Sequence, residues 1–582
     1  MAWASDVIAE LLSRLDLRYV SLNPGASYRG LHDSIVNYLG NESPEMIVCL
    51  HEEHAVALAH GYAKVTGRPM AVALHSNVGL MHATMALYNA YCDRVPMVVL
   101  GATGPVDAAQ RRPWIDWLHT AADQGALIRN YVKWDDQPAS VPAAIETLVR
   151  ADVLTRTYPC APVYVCLDAA MQETAVTEQP KFPDLARHRP VPPPGPGSAV
   201  VDEIAAILEQ ASRPLILIGR VGREAGAWHA RVELAERLGA CVLTDLRVGA
   251  GFPTEHRLHP VAPGTFLPAD GAELLRAADV VLALDWVDLG GTLQQAYGDQ
   301  PPPARIISAS LDFSLHNGWS KDHFALAAAD LAVGAHPDLL VAELVARLRM
   351  ADRPVPPRAD WPPVRSVAAL ARDGASGALD DEITLSDLAG AMREALSGRS
   401  ACLARVPLGW SGGDWSFADP LDYLGQDGGA GLGSGPGMAV GVALALAESE
   451  RIAVAVLGDG DFLMGATALW TAARYRLPLL VLVANNRSYL NDEIHQERVA
   501  RARARPIENR WVGQQIRDPD ADLAALARSL GLRGLGPVAL RSDLADTLSQ
   551  AVAATAGGES VVVDVRVVPS DYPGASSAGK SQ

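Results

Sequence analysis

The sequence contains little cysteine and no closely spaced cysteine pair. Six of its 582 residues are cysteines, and no two of them form a Cys-x-x-Cys pair. They are scattered, mostly within apolar runs such as 163–167, which is typical of buried free thiols in a reducing compartment. The N-terminus also lacks a basic segment followed by a long apolar stretch. We therefore expect a cytoplasmic protein without disulfide bonds.

Long hydrophobic runs and an excess of positive charge are also missing. The longest apolar run, near 438–447, is far too short to span a bilayer. Lysine and arginine number 49 against 67 aspartates and glutamates, a formal net charge of −18. Such acidity disfavours nucleic acid and anionic membrane surfaces as partners. With 49% hydrophobic and 20% charged residues, the composition is that of a globular protein.

Short β-branched runs alternate with Ala/Leu-rich stretches in three parts of the chain. This alternation is typical of α/β domains with parallel sheets. Proline-rich stretches at 189–197 and 353–363 lie between the parts. We interpret them as linkers, because proline at this density cannot continue a helix or an inner strand. We predict three doubly wound α/β domains at 1–178, 195–350 and 375–570, followed by a disordered tail at 571–582.

Near-continuous apolar runs mark the strands that we expect to be buried on both faces. The runs in the first part are Arg18–Leu22, Met46–Leu50, Met70–Leu74, Met97–Leu100 and Val163–Leu167. Those in the second part are Pro214–Ile218, Cys241–Leu243, Val280–Leu284 and Arg305–Ser308. Those in the third part are Ile452–Leu457, Pro478–Val483 and Val561–Val565.

The strongest chemical signal lies in the third part. Gly458-Asp459-Gly460 follows one predicted strand, and Asn485-Asn486 follows the next. Since the carboxyl ends of parallel strands meet at one edge of a sheet, Asp459 and Asn486 should lie side by side. Carboxylate, amide and backbone oxygens are ligands that Mg²⁺ prefers, and phosphate oxygens complete its coordination. Glycines let the backbone approach a diphosphate. The pattern therefore predicts a magnesium–diphosphate site.

This pattern resembles the signature of the thiamine diphosphate-dependent enzymes of the acetolactate synthase, pyruvate decarboxylase and benzoylformate decarboxylase superfamily. The resemblance implies pyrimidine-binding, central and diphosphate-binding domains, with thiamine diphosphate and Mg²⁺ as cofactors. It implies that the metal is held by Asp459, the Asn486 side chain and the Ser488 carbonyl, and that the diphosphate lies at Gly458, Gly460 and Asp461. Asp461 replaces a small hydroxyl residue that is common in the family.

The same resemblance assigns residues around the organic part of the cofactor. A glutamate nine residues before Gly61 selects Glu52, which in the family contacts the aminopyrimidine from the neighbouring subunit. Self-association into a dimer or a dimer of dimers is therefore implied. In the glycine-rich stretch 428–437, Leu432 would support the bent cofactor and the Ala430 carbonyl would accept from its amino group. The alternatives are a solvated acidic turn for Glu52 and a packed loop for Leu432.

His75, followed by serine after the third strand, is similar to the proton-transferring histidine of benzoylformate decarboxylase and its close relatives. The turn Asn23-Pro24-Gly25, which the resemblance assigns to cofactor binding, also matches that enzyme. Ala26 stands where that enzyme has a substrate-contacting serine, and Ser27 comes one step later. The resemblance implies a decarboxylase or carboligase of 2-oxo acids, acting through a C2 carbanion and an enamine, with or without an aldehyde acceptor. The alternative for His75 is a structural hydrogen bond.

Two other functions stay open from the sequence. One is an acetolactate-synthase-like transferase that condenses two 2-oxo acids, and the other is a non-catalytic paralogue that binds thiamine diphosphate. The segment Tyr489–Arg498 is unusually charged for the family and should line or cover the pocket. Asp285 and Asp288 end a strand of the central domain and could reach the site. The turn at 219–222 lacks GxGxxG spacing, so FAD is not expected.

Overall fold

The computed structural model describes residues 1–315, 327–351, 360–361 and 381–569. These residues form three α/β domains, each built on one parallel sheet. In this part of the chain, no helix is both long and apolar enough to cross a membrane. The predicted tail at 571–582 and most of the second proline-rich stretch lie outside the described residues. The domain boundaries stay predictions.

The N-terminal domain has a six-stranded sheet in the order β2-β1-β3-β4-β6-β5, with every pair parallel. Its strands are β1 Tyr19–Leu22, β2 Glu45–Val48, β3 Met70–Leu74, β4 Met97–Thr103, β5 Trp134–Asp136 and β6 Pro162–Asp168. Its helices are α1 Ala4–Arg14, α2 Arg29–Asp33, α3 Glu52–Thr66, α4 Ser76–Cys92, α5 Ile115–Leu118, α6 Val141–Arg156 and α7 Ala169–Gln172.

The central domain has a five-stranded parallel sheet in the order β11-β10-β9-β7-β8. Its strands are β7 Pro214–Ile218, β8 Cys241–Thr244, β9 Val280–Leu284, β10 Arg305–Ala309 and β11 Leu331–Val333. Its helices are α8 Ser198–Gln210, α9 Ala225–Leu238, α10 Ala269–Ala277, α11 Leu289–Tyr297 and α12 Pro337–Ala351.

The C-terminal domain has a five-stranded parallel sheet in the order β12-β13-β14-β16-β15. Its strands are β12 Ala401–Arg405, β13 Ile452–Gly458, β14 Leu479–Asn485, β15 Arg533–Val538 and β16 Ser560–Arg566. Its helices are α13 Leu385–Ala395, α14 Ser434–Leu446, α15 Asp459–Gly465, α16 Leu469–Tyr475, α17 Leu490–Ala502, α18 Leu523–Ser529 and α19 Arg541–Ala556.

The predicted fold class is confirmed, but the prediction missed four of the strands. Every strand predicted from an apolar run is present, with its ends shifted by at most three residues. The four strands that the apolar runs do not mark, β5, β11, β12 and β15, each lie at an edge of their sheet. An edge strand packs against fewer neighbours, so its sequence carries a weaker hydrophobic signal. β15, for example, contains two glycines and a proline.

The N-terminal and C-terminal domains pack through α3 and α14. Their buried residues belong to one hydrophobic core. The backbones approach closely where each helix carries a glycine: a Cβ on Gly61 would lie 2.1 Å from the Met438 carbonyl oxygen, and one on Gly441 would lie 1.9 Å from the Leu58 carbonyl oxygen. This contact fixes the start of α3, which carries Glu52, relative to the glycine-rich loop that precedes α14.

Candidate active site

The carboxyl ends of β13 and β14 bring together the residues of the predicted metal site. The two strands pair in parallel with Gly458 opposite Ala484, so Asp459 and Asn486 follow at the same edge of the sheet. The Ser488 N–H donates to Asp459 Oδ2 at 3.1 Å and to Asn486 Oδ1 at 3.0 Å. Two side-chain oxygens therefore converge beside one peptide group, an arrangement that suits a hard cation.

Asp459 is a buried carboxyl, only 3% exposed. Burial raises its pKa to about 6, although the N–H groups of Gly460 and Ser488 stabilise the charged form. A carboxylate in this state would be stabilised further by a nearby cation.

A cavity of about 340 Å³ opens beside these oxygens. Leu432 is 41% exposed and presents a large apolar side chain among the glycines. Tyr489–Asp492, from the charged segment, also line the cavity. The lining contains all of the residues predicted for the diphosphate half of the site: Ala430, Leu432, Gly458, Asp459, Gly460, Asp461, Asn486 and Ser488.

Three buried charges hold the glycine-rich loop, and the sequence analysis missed two of them, Arg405 and Asp427. Arg405 Nη1 lies 2.6 Å from Asp427 Oδ2, and Arg405 Nε lies 3.1 Å from Asp461 Oδ2. Asp461 Oδ1 accepts from the Gly433 N–H at 2.7 Å, and Asp427 Oδ1 accepts from the Ala430 N–H at 2.8 Å. Asp461, predicted at the diphosphate, therefore also supports the loop.

We expect Arg405→Met to destabilise the C-terminal domain by about 3–5 kcal/mol, because it leaves two buried carboxylates without their cation. The free energy of unfolding of the C-terminal domain, measured by urea denaturation, gives the change. Arg399→Met is the matched control, since Arg399 is exposed in the same domain. Equal, small losses in both variants would show that the buried network does not stabilise the domain.

The predicted residues of the N-terminal domain meet at the carboxyl edge of three neighbouring strands. The turn Asn23–Gly25 follows β1, Glu52 begins α3 shortly after β2, and His75 follows β3. Asn23 Nδ2 donates to the Cys49 carbonyl at 3.0 Å, which ties the turn to the segment before Glu52. The structure thus places these predicted residues along one sheet edge.

His75 contacts two residues that the sequence analysis did not assign. Ser27 Oγ lies 2.9 Å from His75 Nδ1 and accepts from the Ser76 N–H at 3.1 Å. This hydrogen bond uses Nδ1 and leaves Nε2 for other partners, and the tautomer of His75 sets whether the ring or the hydroxyl donates. The His119 ring meets His75 edge to face, with 4.6 Å between centroids. Burial, and then His119, lower the pKa of His75, which favours the neutral imidazole.

Glu52 and Glu53 are neighbours on α3 but face different parts of the chain. Glu52 contacts α4, where His82 Nδ1 lies 3.0 Å from its Oε2. Glu53 faces the C-terminal domain, because a Cβ on Gly433 would lie 3.8 Å from its Oε1. Of the described residues that line the Asp459 cavity, none belongs to the N-terminal domain. One chain therefore presents the two half-sites separately.

The central-domain aspartates do not line the Asp459 cavity of the same chain, so the expectation that they reach the site stays a prediction. Asp285 Oδ2 lies 3.2 Å from Arg220 Nε, and its Oδ1 accepts from Ser310 Oγ at 2.6 Å. Asp288 accepts from the Gly291 N–H at the start of α11. Asp285 instead lines a separate cavity of about 450 Å³ at the edge of its own sheet.

Three family models match successive parts of this chain. They describe the N-terminal TPP binding domain, the central domain and the C-terminal TPP binding domain of thiamine pyrophosphate enzymes, and they match residues 2–127, 201–318 and 409–565. Their order is the one that the resemblance implied.

Individual relatives agree with these models. Benzoylformate decarboxylase from Pseudomonas aeruginosa is 28% identical over 566 residues, which cover 94% of this chain and 96% of that protein. The acetolactate synthase large subunit of Corynebacterium glutamicum is 26% identical over 316 residues, which cover 52% of this chain and 47% of that protein. The crystal structure of benzoylformate decarboxylase from Polynucleobacter necessarius matches with a TM-score of 0.78 at 20% identity, covering 97% of this chain and 99% of that one. This likeness confirms the predicted fold.

Proposed function

Because the chain belongs to the thiamine pyrophosphate enzyme family, we propose that it is a thiamine diphosphate- and Mg²⁺-dependent decarboxylase of 2-oxo acids, which acts as a carboligase when an aldehyde acceptor is present. The observation that carries the proposal is the hydrogen bond between His75 and Ser27 at the sheet edge that also bears Glu52. The match to a benzoylformate decarboxylase over 94% of the chain supports decarboxylation.

The residues beside Asp459 fit a diphosphate and its cation. Asp459, Asn486 and Ser488 would supply carboxylate, amide and peptide oxygens, the donors that Mg²⁺ prefers. A Cβ on Gly458 would meet nothing within 4 Å, so the backbone there borders open space. Exposed Leu432 adds an apolar surface for the organic part of the cofactor.

Glu52 and His75 have different roles in the proposed reaction. When bound, thiamine diphosphate supplies an electron sink for the electrons released as a 2-oxo acid loses CO₂. Glu52 would hold the pyrimidine nitrogen and exchange a proton with it. Neutral His75 would accept or donate a proton at Nε2 beside the reacting carbon.

We expect His75→Phe to slow aldehyde release by about 10²-fold, because phenylalanine fills the space but transfers no proton. Affinity for thiamine diphosphate should change little. A coupled aldehyde assay measures the rate, with exposed His188→Phe as the matched control. A rate in His75→Phe that equals the control would remove His75 from the mechanism.

The complete site in this proposal is shared between two chains. Among the described residues of one chain, Glu52 is not part of the lining of the cavity at Asp459. Met81 on α4, beside the Glu52 half, is 57% exposed, and Met464 on α15, beside the glycine-rich loop, is 56% exposed. A second copy would cover this apolar surface and bring the two half-sites together.

A panel of aromatic and aliphatic 2-oxo acids tests the reaction, with CO₂ and organic products measured with and without an aldehyde. We expect CO₂ and an equal amount of aldehyde when no acceptor is present. Acetolactate from pyruvate without acetaldehyde would indicate a synthase instead. Binding of the cofactor without turnover of any substrate, and without proton exchange at its C2 atom, would indicate a non-catalytic paralogue.

A further inference from the structure

The Glu52 carboxyl lies against two residues of helix α4 that are one turn apart, Gly79 and His82. His82 Nδ1 lies 3.0 Å from Glu52 Oε2, and this is the one hydrogen bond that the described residues make to the Glu52 side chain. A Cβ on Gly79 would lie 3.1 Å from both Cγ and Oε1 of Glu52. The lack of a side chain at Gly79 therefore lets the carboxyl lie against α4, with Oε2 held and Oε1 without a donor.

His82 is itself oriented by a neighbouring ring. The His51 and His82 rings stack with 4.9 Å between centroids and 22° between planes. His51 is fixed because its Nδ1 accepts from the Glu53 N–H at 3.1 Å, which caps the start of α3. Since an ionised carboxylate only accepts hydrogen bonds, His82 donates from Nδ1.

The same three side chains could be mistaken for a metal site. Ligand atoms of His51, Glu52 and His82 lie within 4.8 Å of one another, but a metal needs a free lone pair on each imidazole. The Nδ1 lone pair of His51 is taken by the Glu53 N–H, so the proton of its neutral ring is on Nε2. His82 Nδ1 is directed at the carboxylate. These contacts favour a cluster that positions Glu52.

We infer that His82 is a positioning residue for Glu52, whose Nδ1–H holds Oε2 so that Oε1 is the oxygen presented to the pyrimidine nitrogen of the cofactor. The inference rests on the proposed function, in which Glu52 exchanges a proton with that nitrogen. Proton transfer depends steeply on placement, since a shift of about 1 Å can cost about 10²-fold in rate. Without His82, the Glu52 side chain is free to leave this geometry.

Two substitutions separate the hydrogen bond from simple packing. His82→Asn keeps an N–H donor at the δ position, whereas His82→Leu fills similar space without a donor. We expect proton–deuterium exchange at C2 of bound thiamine diphosphate, read by NMR after acid quenching, to be about 10–10²-fold slower in His82→Leu and within about threefold of wild type in His82→Asn. Cofactor dissociation constants should stay close to wild type. His229→Leu is the matched control, since His229 is an exposed histidine on α9 of the central domain, and it should exchange normally.

Wild-type exchange in His82→Leu would overturn the inference, and so would exchange in His82→Asn as slow as in His82→Leu. Glu52→Gln, measured alongside, distinguishes failure of the positioning role of His82 from failure of the assigned role of Glu52. Slow exchange in Glu52→Gln with normal exchange in His82→Leu refutes only the positioning role, whereas normal exchange in Glu52→Gln refutes the assigned role of Glu52.

If His82→Leu fails to fold, NMR of the wild-type apoprotein labelled with ¹⁵N-histidine tests the inference by showing which ring nitrogen of His82 carries the proton. We expect His82, identified by the signal missing in His82→Asn, to carry its proton on Nδ1. A neutral ring protonated on Nε2 alone would overturn the inference.

Discussion

Glu52→Gln is expected to slow proton exchange at C2 of bound thiamine diphosphate by about 10³-fold or more, while the cofactor still binds. Glutamine keeps the size of glutamate and can hydrogen-bond to the pyrimidine ring, but it cannot exchange a proton with the ring nitrogen. General acid–base groups contribute about 10²–10⁴-fold in rate. The NMR exchange experiment measures the effect directly, without any assumption about the natural substrate.

Glu53→Gln is the matched control for this prediction. Glu53 is the next residue on α3, and its carboxyl faces Gly433 of the same chain. Burial, and then Asp461, raise its pKa, so it is also a perturbed carboxyl. Exchange in Glu53→Gln should stay within a few-fold of wild type. The reverse order, with Glu53→Gln slow and Glu52→Gln normal, would transfer the role to Glu53.

Asp459→Asn is expected to weaken binding of Mg²⁺ with thiamine diphosphate by about 10²-fold or more, because the cation loses its charged ligand. The apoprotein should melt about 1–3 °C higher. Burial raises the pKa of Asp459 to about 6, above the pKa of a carboxyl in the unfolded chain. Its ionisation therefore destabilises the apo native state as the pH rises towards 6, and the substitution removes this cost.

Asp414→Asn is the matched control for Asp459→Asn. Asp414 is buried in the same domain, where its Oδ2 accepts from Ser386 Oγ at 2.9 Å, and burial raises its pKa as well. It does not line the Asp459 cavity, so its substitution should leave cofactor binding near wild type. Titration calorimetry measures the affinity for Mg²⁺ with thiamine diphosphate, and thermal unfolding measures the melting temperature of the apoprotein. Equal affinity losses in the two variants would mean that Asp459 acts only through the fold.

The inner strands and the diphosphate half of the site could be predicted because their signals are local. β13 and β14 are continuous apolar runs, and the residues that follow them, Asp459 and Asn486, share an edge whenever the two strands are neighbours. The edge strand β12, Ala401–Arg405, contains no β-branched residue, so its sequence gives no strand signal. Its last residue, Arg405, was missed for the same reason.

Other parts of the site depend on contacts that no spacing reveals. Arg405 and Asp427 are joined only because the chain returns beside β12, and His119 reaches His75 from a loop after β4. The resemblance selects Glu52 over Glu53 by counting residues. The structure adds a physical difference, because one carboxyl lies on α4 and the other faces the C-terminal domain.

The central claim, that each site combines the Glu52 half of one chain with the Asp459 half of another, is tested most directly by subunit complementation. Glu52→Gln and Asp459→Asn chains are co-expressed with different tags, and the mixed oligomers are assayed beside each variant alone. Each variant alone should be nearly inactive. In random pairing, half of the dimers are mixed, and one of the two sites in each is intact, so we expect about a quarter of wild-type activity. Activity no greater than that of the separate variants would contradict the shared site.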